Sequence, residues 1–354
     1  MPEIIDSFDR IQSLIEELSG DVRICAIDTE ADSLHRYKES LCLIQLSAAG
    51  KNVLIDPLAI DDMMPMATYL DECQVWMHGA DYDMTMLKRE FGRLPNQVWD
   101  TQIGARLLGL RKFGLSDLVE HWFGVTLLKT SQKADWGKRP LTDKMLDYAI
   151  NDVVYLLPLG ECIVEELIEL GRYDWFVESC NAAYAKVMAR NDSREDLWRI
   201  NGSGRLNPRG LCYLKHLWQW RESEAAMWDK PTFMVLNNKD MILWAELLAE
   251  DKPAPLPRHL ARPDRLKRFE AALSTAHTAQ ENDWPKKIRA IKRKKDAILD
   301  KELDHLIKHR NAIADRLQID PALILSRSNA EAIVAKEVCA ENVLMNWQSK
   351  LLGI

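Results

Sequence analysis

Three short stretches carry carboxylates and a phenol at spacings that could gather acids around a hard cation. "ICAIDTEAD" (24–32) runs apolar to Ile27 and then presents Asp28, Glu30 and Asp32. Side chains two apart on a strand project to one side, so Asp28 and Glu30 share a face, and Asp32 joins them only if the strand continues. At the carboxyl end of a strand, such a pair faces the place where α/β domains put their ligands. Two anions held together repel unless a cation lies between them, and hard oxygen ligands favour magnesium, manganese or calcium. "WMHGADYDMTML" (76–87) reads as a strand end followed by a helix, with Asp81 and Asp83 in its first turn, where the helix dipole favours acids. "LDYAINDVVYLLPL" (146–159) has helical apolar spacing and puts Tyr148 and Asp152 one turn apart, on one helix face.

Each group has an ordinary explanation as well. Strand-end carboxylates are common on loops, and first-turn acids cap helices. A tyrosine and an aspartate one turn apart can be a packing residue and a solvated acid. Those explanations do not account for the three groups occurring together in this order.

The elements that would position these residues follow from the pattern. Up to about residue 170, the β-rich runs "VRICAID", "LCLIQLS", "NVLID" and "QVWMH" alternate with the helical "ATYLDE", "YDMTMLKREFG" and "DTQIGARLLGL", which predicts an α/β domain with a central sheet. From about 175 the pattern turns helical, with long stretches at 208–228 and 286–318. The proline-rich "DKPAPLPRHLARP" (251–263) must be a loop. A length of 354 residues suggests two or three domains, and an apolar fraction of 47% suffices for well-buried cores.

The same sequence argues against several function classes. The opening residues lack a basic segment followed by an apolar one, and no apolar run approaches 18 residues. Neither export nor membrane spanning is indicated, and a cytoplasmic location is expected. The seven cysteines are scattered among apolar neighbours without a CxxC pair, as small core residues in a reducing compartment would be. No GxxxxGK[ST] loop supports a nucleotide-driven motor. The net charge of −7 is divided: residues 1–196 carry 20 Lys+Arg against 34 Asp+Glu (−14), and residues 197–354 carry 27 against 20 (+7). A basic half, sharpened in "KKIRAIKRKK" (286–295), hints at nucleic-acid contact, although a charge run can equally be a solvated helix face.

With these motifs the chain resembles the ribonuclease D family of 3′–5′ exonucleases, in the tyrosine branch of the DEDD superfamily, and is similar to the catalytic domain of the nuclear exosome exonuclease. The first family motif corresponds to "DTE" with Asp28 and Glu30, the second to "HGADYD" (78–83), and the third to "YAINDVVYLL", with Tyr148 four residues before Asp152. The sister branch has histidine five residues before the last acid, where this chain has Asp147. "ADWGKRPL" (134–141) fits a further family segment, and "LWQWRESEAAMWDKPTFMVLNNKDM" (217–241) looks like a helicase-and-RNase-D C-terminal (HRDC) domain. "RNAIADRLQIDPALILSRSNAEAI" (310–333) looks like a diverged second copy.

The resemblance implies an RNase H-like DEDD exonuclease domain with a central mixed sheet, followed by all-α HRDC-type domains. The expected boundaries are 1–175, a connecting helix or linker at 176–204, an HRDC domain at 205–282, and a second HRDC-like domain at 283–354. It also implies two divalent cations, Mg2+ or Mn2+, on Asp28, Glu30, Asp83 and Asp152, with Tyr148 orienting the attacking water. Thr29, His78, Gln45, Trp136 and Arg139 are the expected substrate contacts, with packing an equal alternative for Trp136. The implied substrate is RNA with a free 3′ end, such as a transfer RNA precursor, cut to nucleoside 5′-monophosphates by a monomer. A DNA exonuclease and a non-catalytic RNA-binding scaffold are the alternatives.

Overall fold

The computed structural model describes residues 2–20, 23–128, 130–190, 196–287 and 297–354, so most of the basic run "KKIRAIKRKK" lies outside the described residues. The chain forms two compact units, one of residues 1–31, 40–190 and 294–354, the other of 32–39 and 191–293.

The first unit is built on a six-stranded sheet: β1 (Glu3–Ile5), β2 (Ile24–Ala31), β3 (Leu41–Ala48), β4 (Lys51–Ile55), β5 (Gln74–Met77) and β6 (Gln97–Asp100), in the order β1-β4-β3-β2-β5-β6. The sheet is mixed, because β2–β3 and β3–β4 pair antiparallel while β1–β4, β2–β5 and β5–β6 pair parallel. Every residue of β3 is buried, as expected of a near-continuous apolar strand covered on both faces.

Helices cover the two faces. α1 (Phe8–Leu18), α2 (Met64–Asp71) and α3 (Asp81–Phe91) fill one side with Ile11, Leu14, Met66, Leu70, Met84 and Leu87. α4 (Thr101–Leu108), α5 (Leu115–Phe123), α6 (Asp143–Val154), α7 (Leu156–Glu169) and α8 (Tyr173–Met188) follow. Among their residues, Val153, Leu156, Ile163 and Phe176 gather around Trp76 and Ala26. Side-chain caps start two of these helices, Asp100 on α4 and Thr142 on α6, each satisfying an N–H that the first turn leaves unpaired.

The second unit is helical: α9 (Pro208–Trp228), α10 (Thr232–Val235), α11 (Asn238–Ala249) and α12 (Pro263–Thr278). Asn207 caps α9 through Gly210 N–H, and proline opens the helix, where its missing donor costs nothing. Leu214, Leu217, Trp220, Met241, Trp244 and Phe269 form its core. The proline-rich 251–263 segment joins α11 to α12 inside this unit. The loop 32–39 also belongs here: Asp229 Oδ1 accepts from Tyr37 N–H at 3.3 Å, and Tyr37 donates its hydroxyl to Glu222 at 3.3 Å.

The chain then returns to the first unit as α13 (Ala297–Leu317), α14 (Pro321–Ile324), α15 (Arg327–Val334) and α16 (Asn346–Leu352). Ile313, Ile319, Ile324, Leu325 and Trp347 enter the same apolar cluster as Leu118, Ile163 and Phe176. Trp347 stacks on Trp175 at 5.0 Å, and Glu178 accepts the first N–H groups of α16, from Asn346 at 2.6 Å and Trp347 at 3.2 Å.

Candidate active site

The carboxyl end of β2 is where the three acidic motifs converge. Asp28 and Glu30 project from one face of that strand, opposite Gln45 and Leu43 of β3, with a bulge in register just after Glu30. A bulge at a strand end re-aims side chains and stops the pairing. α6 crosses this face and contributes Asp152. Carboxylate oxygens of Asp28, Glu30 and Asp152 all lie within 4.8 Å of one another. Asp83, in the first turn of α3, is held beside them. Its Oδ1 accepts Thr29 N–H at 3.0 Å and the Thr29 hydroxyl at 2.5 Å, so the residue between the two strand acids orients the acid of the second motif.

The electrostatics follow from crowding like charges in a buried place. Burial, then repulsion from Asp83, Asp152 and Glu30, pushes Asp28 well above the usual carboxylate range. Glu30 is pushed up to about 9 by burial and by Asp152 and Asp83. Asp152 rises to about 7 through burial, opposed by the Tyr148 hydroxyl bonded to it, and Asp83 to about 6, opposed by Thr29. Tyr148 is raised as well, by burial first and then by the charges of Asp152, Glu30 and Asp28. A set of oxygen donors this close, with no cationic side chain among the causes of these shifts, fits a hard divalent cation that would neutralise it.

His78 follows β5 directly, at the start of the turn that leads to α3. Its Nδ1 lies 2.9 Å from the Thr101 hydroxyl, which donates onward to the Met77 carbonyl at 3.2 Å. Burial lowers the His78 pKa, with Asp100 opposing, so the ring is neutral and donates from Nδ1.

Three expected substrate contacts are buried or paired within the fold. Gln45 is wholly buried and cannot touch a substrate. Trp136, only 1% exposed, packs with Leu43, Leu54 and Leu146, so no base can reach its face. All five N–H donors of Arg139 go to protein oxygens: a two-point ion pair with Asp56 at 2.6 and 2.5 Å, and the carbonyls of Trp136, Lys138 and Cys42. Arg139 therefore fastens the 134–141 segment to the sheet.

One residue with a role here was not anticipated. Asp100, at the end of β6, accepts from Gly79 N–H and Gln102 N–H at 2.8 Å and from Ala80 N–H at 3.0 Å. It thus ties the loop that carries the second motif to the neighbouring strand. The available signal was "QVWD" itself, an apolar run ending in aspartate before a helix, like the one ending at Asp28.

Comparison with known proteins agrees with this architecture. A family model described as 3′–5′ exonuclease matches residues 2–168. Ribonuclease D of Haemophilus influenzae is 30% identical over 341 residues, covering 92% of this chain and 85% of that protein. The crystal structure of Escherichia coli RNase D, described as an exoribonuclease involved in structured RNA processing, covers 100% of this chain and 96% of that one, with a TM-score of 0.79 at 25% identity. The catalytic core of RRP6 from Trypanosoma brucei covers 78% of this chain and 80% of that one, with a TM-score of 0.64 at 21% identity, a likeness of fold.

Proposed function

The chain belongs to the ribonuclease D family and is a 3′–5′ exoribonuclease, and on that premise we propose that Asp28, Glu30, Asp83, Tyr148 and Asp152 are the residues that cut. The observation that carries the assignment is the group of three carboxylate oxygens within 4.8 Å of one another, at the end of β2 and beneath α6. Four acids suit two divalent cations, Mg2+ or Mn2+: Asp28 would serve both, Glu30 and Asp152 would hold the one that activates the attacking water, and Asp83 would hold the other. Cations bound there would activate the water and neutralise the departing 3′-oxygen.

The protein's own groups supply orientation. Tyr148 keeps its proton at neutral pH because burial and three nearby carboxylates raise its pKa, so it positions the attacking water by hydrogen bond and does not act as a base. Thr29 fixes Asp83 through two hydrogen bonds. Thr29 and the neutral His78 contact the terminal nucleotide. The products are nucleoside 5′-monophosphates, and the substrates are structured RNAs such as transfer RNA precursors.

Residues 205–282 serve as an HRDC domain, and 283–354 as its diverged copy. The excess of positive charge in the C-terminal half holds the RNA backbone in a salt-dependent manner. No helix among the described residues is long and apolar enough to cross a membrane. No cysteine forms a disulfide, in keeping with a reducing, cytoplasmic location; the working unit is a monomer. Incubating 5′-labelled single-stranded RNA or DNA with Mg2+, Mn2+ or chelator tests the reading. A descending ladder from RNA that chelator abolishes is expected. Faster cutting of DNA would transfer the reading to a DNA exonuclease, and intact RNA with both metals would leave only a scaffold.

A further inference from the structure

Gln45 occupies an unusual position for an amide. It is completely buried, and neither its Nε2 nor its Oε1 has a hydrogen-bond partner. In the antiparallel β2–β3 pair it stands in register opposite Asp28. Directly opposed residues put their side chains on the same face, with Cβ atoms about 4.5–5.5 Å apart. Its neighbour on β4 is Leu54, and the layer over this face is Trp136, Leu146 and Ala149. Strand pairing thus sets the carboxylate of Asp28 beside Gln45, while the layer above adds the unpartnered indole N–H of Trp136. An amide enclosed by apolar side chains is a cost to the fold unless something bonds it.

We propose that Gln45 is a positioning residue for Asp28: its amide N–H donates to the Asp28 carboxylate when that carboxylate holds a cation. The proposal rests on the metal-site reading above. An ionised carboxylate has about four lone-pair sites, and a cation takes only some of them, so a buried ligand oxygen needs a further donor. A neutral amide supplies one without changing the charge of the site. A cationic side chain there would compete with the metal, and an acid would add to the repulsion among Asp28, Glu30 and Asp152.

The test is Gln45→Met, close in shape but without the amide, compared with the parent chain and with Asp28→Asn. Mn2+ binding by calorimetry and the melting temperature in chelator are the main measurements. The expected result is a melting temperature in chelator equal to or above the parent's, with Mn2+ affinity reduced about 10–100-fold, the range for groups that orient metal ligands. RNA affinity in chelator should be unchanged. A second measurement does not depend on the variant folding in quantity. In parent protein labelled with 15N-glutamine, Gln45 should give a side-chain amide signal that moves on addition of Mg2+. Parent-like Mn2+ affinity in folded Gln45→Met overturns the proposal, and so does an amide signal indifferent to Mg2+. Parent-like affinity in Asp28→Asn as well would instead overturn the metal-site reading on which it stands.

Discussion

Asp28 is the acid on which burial and three neighbouring carboxylates act together, and Asp28→Asn removes its charge while keeping its shape. RNA hydrolysis should be lost, with RNA binding in chelator and the fold retained; degradation at near the parent rate would refute the assignment. Tyr148→Phe deletes one hydroxyl next to Asp152, and the rate should fall on the order of 10²–10⁴-fold, as for other positioned groups, with Mn2+ affinity kept. An unchanged rate would leave Tyr148 as packing against Trp136, whose ring centroid is 6.1 Å away. The acids also predict a pH effect. With Asp83 at about 6, Asp152 at about 7 and Glu30 at about 9, the folded state binds protons more readily than the unfolded one. Their cost to stability is absent below about pH 4, where both states are protonated, and grows as pH rises through those values. A divalent cation binds the ionised forms and releases protons, so the gain in melting temperature with Mg2+ should be larger at about pH 8.5 than at about pH 6. Equal gains at both would place the bound cation elsewhere.

The elements that carry these acids were legible where residue pattern and chemistry coincide. "VRICAID" and "LCLIQLS" are apolar runs ending in polar residues and became β2 and β3, and Tyr148 and Asp152 fall on α6 as their spacing requires. β1 and β6 were not anticipated: Glu3–Ile5 and Gln97–Asp100 are three and four residues long, too short for a period of two to show, and β5, equally short, was read from the longer apolar run "VWM". The burial of Gln45 and Trp136 and the pairing of Arg139 were illegible for another reason: they depend on residues far along the chain, such as Asp56, 83 residues from Arg139. Asp100 joins both lessons. As cap of α4 and anchor of Gly79 and Ala80, it fixes the turn between β5 and α3. Asp100→Ala should cost about 0.5–2 kcal/mol for the cap alone, with a further loss from the loop. Activity at saturating metal should fall although every acid of the cluster remains. Urea unfolding and hydrolysis rates measure the two effects; a variant with parent stability would mean that the loop is held by other contacts.

At the scale of the whole molecule, the division of charge along the sequence does not match the division in space. The C-terminal half is basic as a sequence, yet residues 297–354 share an apolar cluster with α4, α5, α7 and α8 of the sheet unit. Where α4 ends, the approach is tight. Gly109 has φ +93°, and a Cβ added there would meet the Gln318 carbonyl oxygen at 2.1 Å. The buried Arg172 bridges the same junction, donating to the Leu107 and Leu317 carbonyls at 2.7 Å each. Gly92, which ends α3, provides the control, since its φ is +69° and nothing lies within 4 Å of an added Cβ. Gly92→Ala should therefore cost only the left-handed backbone strain, about 1–2 kcal/mol. Gly109→Ala should cost that and more, because either the Gln318 backbone or the α4 end must shift. The extra cost should be concentrated in the junction, so limited proteolysis of Gly109→Ala should release fragments cut within 297–354 before the sheet unit is attacked, while Gly92→Ala should show the parent pattern. Equal melting temperatures and equal cleavage patterns for the two variants would refute the docking of the C-terminal helices through the Gly109–Gln318 contact.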